Sequence, residues 1–154
     1  VAAPMVAPAS MKAEAAGFDA PKWAKLPAGW SVGPENSMRK ATWIVSGPND
    51  SKAEIAVTVF PGNVGGLTAN VNRWRGQVGL APLEAGALAA NSKAVATAGG
   101  DSGTWVELVG TEKTILGAIV ARGEVSWFFK LTAPAPVAAH NRDAFEQFVR
   151  SIRF

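Results

Sequence analysis

Four runs of apolar or alternating residues follow one another closely in the second half of the chain, and they constrain the fold most strongly. They predict strands at Lys93 to Ala98, Thr104 to Val109, Thr114 to Ala121 and Glu124 to Thr132. Only a few residues separate them, and connections this short join antiparallel neighbours. The third run is apolar on both faces, so we expect it to be an interior strand.

The first half of the chain predicts a hairpin followed by a helix. Ala41 to Val45 and Ala53 to Phe60 alternate like half-buried strands on either side of the turn Gly47-Pro48-Asn49-Asp50. The segment from Leu67 to Val78 is predicted to be a helix, with Gly79 as its C-terminal cap. Its apolar residues fall on one stripe at helical spacing: Leu67, Val71, Trp74 and Val78. This segment therefore supplies two strands and one helix to the same domain.

A second helix is predicted from Val137 to Ser151, with Phe145 and Phe148 at core spacing. The element order is then β-β-α-β-β-β-β-α. This order belongs to the α+β class, with a single antiparallel sheet and two main helices. Residues 22–154 are expected to form one domain, and residues 1–21 a flexible Ala/Pro-rich tail.

Composition excludes several classes of site. The chain has 154 residues, a net charge of +3, one His and no Cys. Disulfides and thiolate chemistry are therefore excluded, and with a single imidazole we expect no metal and no cofactor. Lys and Arg are scattered, which argues against nucleic-acid binding. No apolar run is long enough to form a transmembrane segment.

The first ten residues, Val1 to Ser10, consist mostly of Ala, Pro and Val. Such a segment is typical of the region that follows a removed signal sequence in exported bacterial proteins. We therefore expect an exported protein of the periplasm or outer envelope. The sequence gives no evidence of a lipid anchor.

The entry Pro27-Ala28-Gly29-Trp30, the element order and the ending Phe145 to Phe154 resemble the PsbP-like fold, which includes LpqN- and DcrB-type lipoproteins. The resemblance implies an α/β/α sandwich over most of Trp23 to Phe154. More narrowly, three segments look like exported bacterial proteins and lipoproteins of unknown function. They are Ser37 to Trp43, Gly65 to Gln77, and Trp127 to Lys130. That likeness implies an exported protein and supplies no catalytic residue.

The glycine-rich loop and helix from Gly62 to Gln77 form the candidate binding site. Its polar side chains are costly to order without specific hydrogen bonds, and a helix N-terminus offers free N–H groups to an anion. The candidate residues are Gly65, Gly66, Asn70, Asn72, Arg73, Arg75 and Gln77, together with Trp30. The competing interpretation is structural: Asn70 and Gln77 border the buried stripe, where amides satisfy backbone groups, and Arg73 pairs with a carboxylate or a strand-end carbonyl.

The remaining motifs indicate structural roles and not catalytic or ligand-binding ones. Gly100-Asp101-Ser102-Gly103 echoes a serine-protease nucleophile, but the one His, His140, follows the Ser, so we expect an ordinary hairpin turn. Among the six Trp residues, Trp23 and Trp30 flank the entry turn and are the better candidates for exposure. Four others are predicted to lie in the core: Trp43, Trp74, Trp105 and Trp127.

These observations predict a non-catalytic exported binding or accessory module that contacts a partner protein or an envelope component. The alternative is a protein that binds a small anion or a glycan through Gly62 to Gln77. A hydrolase is the least favoured class, because no carboxylate pair or His-based catalytic group stands out.

Overall fold

A computed structural model describes residues 22, 29–33, 39–46, 51–61, 66–122 and 125–154. The predicted tail, residues 1–21, and the turn at 47–50 lie outside the described residues. In the described part, seven strands form one antiparallel sheet in the order β1-β2-β3-β7-β6-β5-β4. The strands are β1 (Trp30–Val32), β2 (Arg39–Ser46), β3 (Lys52–Pro61), β4 (Ser92–Ala96), β5 (Ser102–Val109), β6 (Lys113–Arg122) and β7 (Val125–Pro134).

Helices pack on both faces of this sheet. They are α1 (Gly66–Gln77), α2 (Ala85–Ala90) and α3 (Ala135–Arg150). The predicted α+β class is confirmed, with the predicted strands and the two main helices close to their expected bounds. We call the side of the sheet that carries α1 and α2 the α1 face, and the opposite side the α3 face.

Two elements of the structure are absent from the sequence prediction. Strand β1 has three residues and lies beside β2, with Ser31 opposite Ile44. It is too short for an alternating pattern to be visible. Helix α2 has the sequence Ala-Gly-Ala-Leu-Ala-Ala, whose one large apolar residue is the buried Leu88. One apolar residue gives no helical periodicity to detect.

The main core lies on the α3 face. Phe145, Phe148 and Val149 of α3 are buried against the sheet, as their spacing predicts. The predicted core residues Trp43, Trp105 and Trp127 are each at most 3% exposed. Strand residues that join them in this cluster are Val45, Ile55, Val57, Val59, Leu116, Val120, Phe129 and Leu131.

A second, smaller core forms under α1. Val71, Trp74 and Val78 of the predicted stripe are buried against residues that include Ile115 and Phe128. Leu67, the fourth residue of that stripe, is 38% exposed, so the stripe is confirmed except at its first residue. Because β6 lies between helices on both sides, every residue from Thr114 to Val120 is buried. The prediction of an interior strand with two apolar faces is therefore confirmed.

Helix α1 approaches the sheet closely at Gly117 of β6. A Cβ atom added there would overlap the six-membered ring of Trp74. Gly117 is therefore the position that lets the indole lie directly on the strand backbone. Close-packed interiors accept an extra methyl group poorly, because neighbouring side chains must leave their rotamers.

We predict that Gly117→Ala lowers the free energy of unfolding by about 2–3 kcal/mol, since Trp74 must move. The matched control is Gly76→Ala, where an added Cβ meets nothing within 4 Å on the exposed side of α1. Alanine there is expected to raise stability by about 0.5–1 kcal/mol. Urea unfolding of both variants measures the difference, and equal effects would contradict the proposed contact.

Candidate functional site

Helix α1 begins at Gly66, five residues after the end of β3 at Pro61. Gly66 has φ +89°, a backbone conformation that favours glycine. The candidate residue Gly65 lies outside the described residues. Its first turn lies over the ends of β5, β6 and β7, and Trp74 further along the helix reaches Gly117 of β6.

A cavity of about 280 Å³ lies between this first turn and the sheet. Gly66, Leu67 and Asn70 of α1 form one wall. The floor comes from three neighbouring strands, through Ser102, Gly103 and Thr104 of β5, Ile119 and Ala121 of β6, and Ser126 and Phe128 of β7.

Strand register arranges most of this floor in rows. Thr104 pairs with Ile119, which in turn pairs with Phe128, so these side chains lie side by side on the α1 face. Ala121 pairs with Ser126 one row further toward the strand ends. The described lining combines hydroxyl groups with apolar surface and includes no ionisable side chain. Such a surface suits a ligand group that is neutral and largely apolar.

The two asparagines of the predicted site make hydrogen bonds within the domain. Asn70 is 1% exposed, and its Nδ2 donates to the carbonyl oxygen of Gly66 at 2.7 Å. Asn72 forms a two-point clamp on Leu83: its Nδ2 donates to the Leu83 carbonyl, and its Oδ1 accepts from the Leu83 N–H, both at 2.8 Å. This clamp fixes the segment that joins α1 to α2.

Arg75 and Gln77 also have partners at the end of α1. The Nε of Arg75 donates to the carbonyl oxygen of Ala81 at 2.6 Å. Gln77 accepts a hydrogen bond from the Nζ of Lys130, which also lies 5.8 Å from the centre of the Trp74 ring. The C-terminal end of α1 is thus attached both to the following segment and to β7.

Leu67 and Arg73 remain available at the surface of α1. Leu67 is 38% exposed beside the cavity. Arg73 is exposed and makes no hydrogen bond or ion pair with the described part of the chain. That the predicted residues bind a ligand remains a prediction. Their contacts show that Asn72 and Arg75 already serve the fold.

Trp30 is not the exposed platform that its position beside a turn predicts. It is half-buried on the α3 face, with its ring centroid 5.3 Å from that of Phe148 and 6.0 Å from that of Trp43. The short β1 brings it against the core, because Trp30 pairs with Val45 in the sheet. Trp23, the other candidate for exposure, lies outside the described residues.

The protease-like motif forms the end of a hairpin, as predicted. Gly100 has φ +92°, and Asp101 pairs with Arg122 at 3.0 Å. Ser102 faces the cavity on the α1 face, whereas His140 is exposed on α3, which packs on the opposite face. The two side chains are therefore not brought together as a catalytic pair.

The residues of the cavity floor carry no signal in the sequence that marks them as a site. Alternation along β5 places Ser102 and Thr104 on one face, but the sequence does not show that α1 packs on that same face.

The described residues contain no group of three or more His, Asp or Glu side chains that could hold a metal ion. Across the described ranges, no helix is both long and apolar enough to cross a membrane.

No family model matches the chain, and no curated protein matches it. Among solved structures, PsbP (CyanoP) from Synechocystis sp. PCC 6803 is similar at 15% identity, over 82% of each chain, with a TM-score of 0.48. LpqN of Mycobacterium tuberculosis, described as involved in cell envelope biogenesis, is also 15% identical. The match covers 87% of this chain and 83% of the LpqN chain, again with a TM-score of 0.48. Both likenesses concern the fold, and both are to proteins of the kind that the PsbP-like resemblance names.

We predict that Asn72→Ala lowers the free energy of unfolding by about 1–2 kcal/mol, because both backbone groups of Leu83 lose their partner. Arg73→Ala, one residue away on the same helix, serves as the control and should change stability by less than about 0.5 kcal/mol. Thermal melts of both variants test this difference. Equal melting temperatures would show that the clamp does not support the fold.

Proposed function

We propose that this protein is a non-catalytic binding module of the bacterial envelope that holds a partner protein through α1 and the adjacent cavity. The observation that carries the proposal is the cavity itself, whose described walls combine hydroxyl groups with Leu67, Ile119 and Phe128. A surface of this kind favours an inserted apolar group with one or two hydrogen bonds.

The described lining supports binding rather than catalysis. Ser102 and Thr104 supply hydroxyl groups, but no described lining residue is a His, Asp, Glu or Lys that would take their protons. A hydroxyl without an adjacent base is a weak nucleophile near neutral pH. The hydroxyls are therefore assigned to hydrogen bonding with a bound group.

The firm attachment of α1 also supports recognition of a partner. Trp74 and the Asn72 clamp hold the helix in place before any partner arrives. Binding to a preformed surface loses less conformational entropy than binding to a mobile one. The exposed Leu67 then supplies an apolar contact at the cavity, and Arg73, exposed further along α1, supplies a charged one.

A small anion or glycan is the second candidate, because the first turn of α1 lies at the cavity wall. The first N–H groups of a helix have no partner within the helix and favour negative charge. Phosphate or monosaccharide added at millimolar concentration would then shift the NMR signals of Leu67, Ser102 and Thr104. If those signals move with small ligands alone, the second candidate replaces the first.

The test of the first candidate is site-specific photo-crosslinking. A benzophenone amino acid replaces Leu67 in one variant and Val109 in the control, since Val109 is 63% exposed at the far end of β5. We expect a discrete crosslinked protein from envelope extracts at position 67 and none at position 109. Adding Ser102→Trp, which fills the cavity, should reduce that yield about tenfold.

Two results would contradict the proposed function. One is equal crosslinking at positions 67 and 109, which would indicate random collision. The other is a crosslink at position 67 that Ser102→Trp leaves unchanged although the variant melts like the parent, since the cavity would then play no part.

A further inference from the structure

Strand β4 is an edge strand of the sheet that the described residues form. Within the described ranges it pairs with β5 and with no other strand. A free edge presents backbone N–H and C=O groups in the geometry that an added strand requires. The opposite edge, β1, has three residues, whereas β4 has five.

Hydrogen bonds at the β4–β5 turn show which backbone groups point outward. The N–H of Thr97 donates to the carbonyl oxygen of Asp101 at 2.8 Å, so Thr97 belongs to a hydrogen-bonded pair. Such pairs alternate along an antiparallel ladder. Val95 and Lys93 therefore bond to β5, whereas the N–H and C=O groups of Ala94 and Ala96 point away from the sheet.

The same two alanines border the cavity. Ala94 pairs with Thr104 and Ala96 pairs with Ser102, and these β5 residues line the cavity floor. Cross-strand partners share a face, so both methyl groups lie on the α1 face, where both residues are exposed. The path from the outer edge of β4 to the cavity floor thus passes over two small side chains.

The one charged side chain of β4 is held on the other face. Lys93 pairs with Trp105, its Nζ lies 3.1 Å from Oε1 of Glu146, and it lies 5.7 Å from the Trp105 ring centroid. Hydrogen bonding from Arg150, and then from Lys93, holds the pKa of Glu146 below its usual value despite the opposing effect of burial. An edge lysine often discourages strand addition, but this one is tied to α3.

We propose that β4 accepts an extended segment of a partner protein as an eighth strand, which places a long apolar side chain in the cavity. The inference deepens the proposed function and rests on it. Ala94 and Ala96 would supply the main-chain hydrogen bonds, and neighbouring strands lie about 4.8 Å apart. A Phe or Met side chain leaning across Ala94 therefore reaches the β5 side of the cavity.

A second copy of the chain fits this edge less well. Its own β4 would present Ala94 and Ala96 on the α1 face, because Val95 is buried on the α3 face. Two facing β4 strands would thus leave the cavity unfilled. A segment that alternates polar residues with one bulky apolar residue satisfies both the edge and the cavity.

The test selects displayed linear peptides of about eight residues on the wild-type protein, with counter-selection on Ala94→Pro. Proline removes an outward N–H while keeping the ladder to β5, so this variant should fold normally. We expect enriched peptides with one Phe, Met or Leu in an alternating pattern. The affinity of a synthetic peptide with one of the enriched sequences should be about tenfold or more lower for Ala94→Pro than for the wild type.

A mutant cycle then tests the cavity contact. Replacing the bulky peptide residue by Ala should weaken binding about tenfold on the wild type, and hardly at all on Ser102→Trp. Amide signals of Ala94 and Ala96 should shift downfield on binding. Peptides that move cavity signals without those two amides would overturn strand addition and leave the proposed function standing.

Two further results would also overturn the inference. The first is that no peptide is enriched on the wild type relative to Ala94→Pro, while the photo-crosslinker at position 67 still captures a partner. The partner would then bind without using the outer edge of β4. If ultracentrifugation shows a dimer of the protein alone that Ala94→Pro dissociates, the edge belongs to a second copy.

Discussion

The position of α1 depends on one contact, that of the Trp74 ring with the backbone of Gly117. The ring lies where any larger residue on β6 would place its Cβ atom, so helix and sheet meet at van der Waals distance. Phe128 meets the same ring edge-to-face at a centroid distance of 6.1 Å. A similar restriction holds at the end of the helix, where a side chain on Gly110 would collide with the Val78 carbonyl.

The cavity follows from the position of the Trp74–Gly117 contact along α1. Trp74 and Val78 hold the second half of α1 close to the sheet, and the first turn spans strand ends that carry small residues. Ala121 and Ser126 face that first turn and are too short to fill the space beneath it. The α3 face differs because large residues such as Phe145 and Phe148 interlock with strand tryptophans. Packing alone thus accounts for one filled face and one face with an opening.

Much of this architecture is encoded in local patterns. The alternation of β7 and the stripe of Val71, Trp74 and Val78 predict both the sheet and the buried side of α1, because periodicity reports burial directly. The structural interpretation of the amides that border the stripe has support at Asn70, whose Nδ2 donates to the Gly66 carbonyl, whereas Gln77 pairs with the Lys130 side chain. The cavity was not predictable, because it depends on the face that α1 covers and on the register between β5, β6 and β7. The prediction that Trp30 is exposed was wrong, because β1 is too short for an alternating pattern to be visible in the sequence.

We infer that Trp74 holds α1 on the sheet before any partner binds, so that α1 forms the proposed binding surface in advance. Hydrogen exchange of the wild type and of Gly117→Ala, followed by mass spectrometry, tests it most directly. We expect peptides from Gly66–Gln77 to lose protection in the variant while peptides from α3 and β3 keep theirs. Unchanged protection of α1, or an equal loss throughout the domain, would contradict the claim.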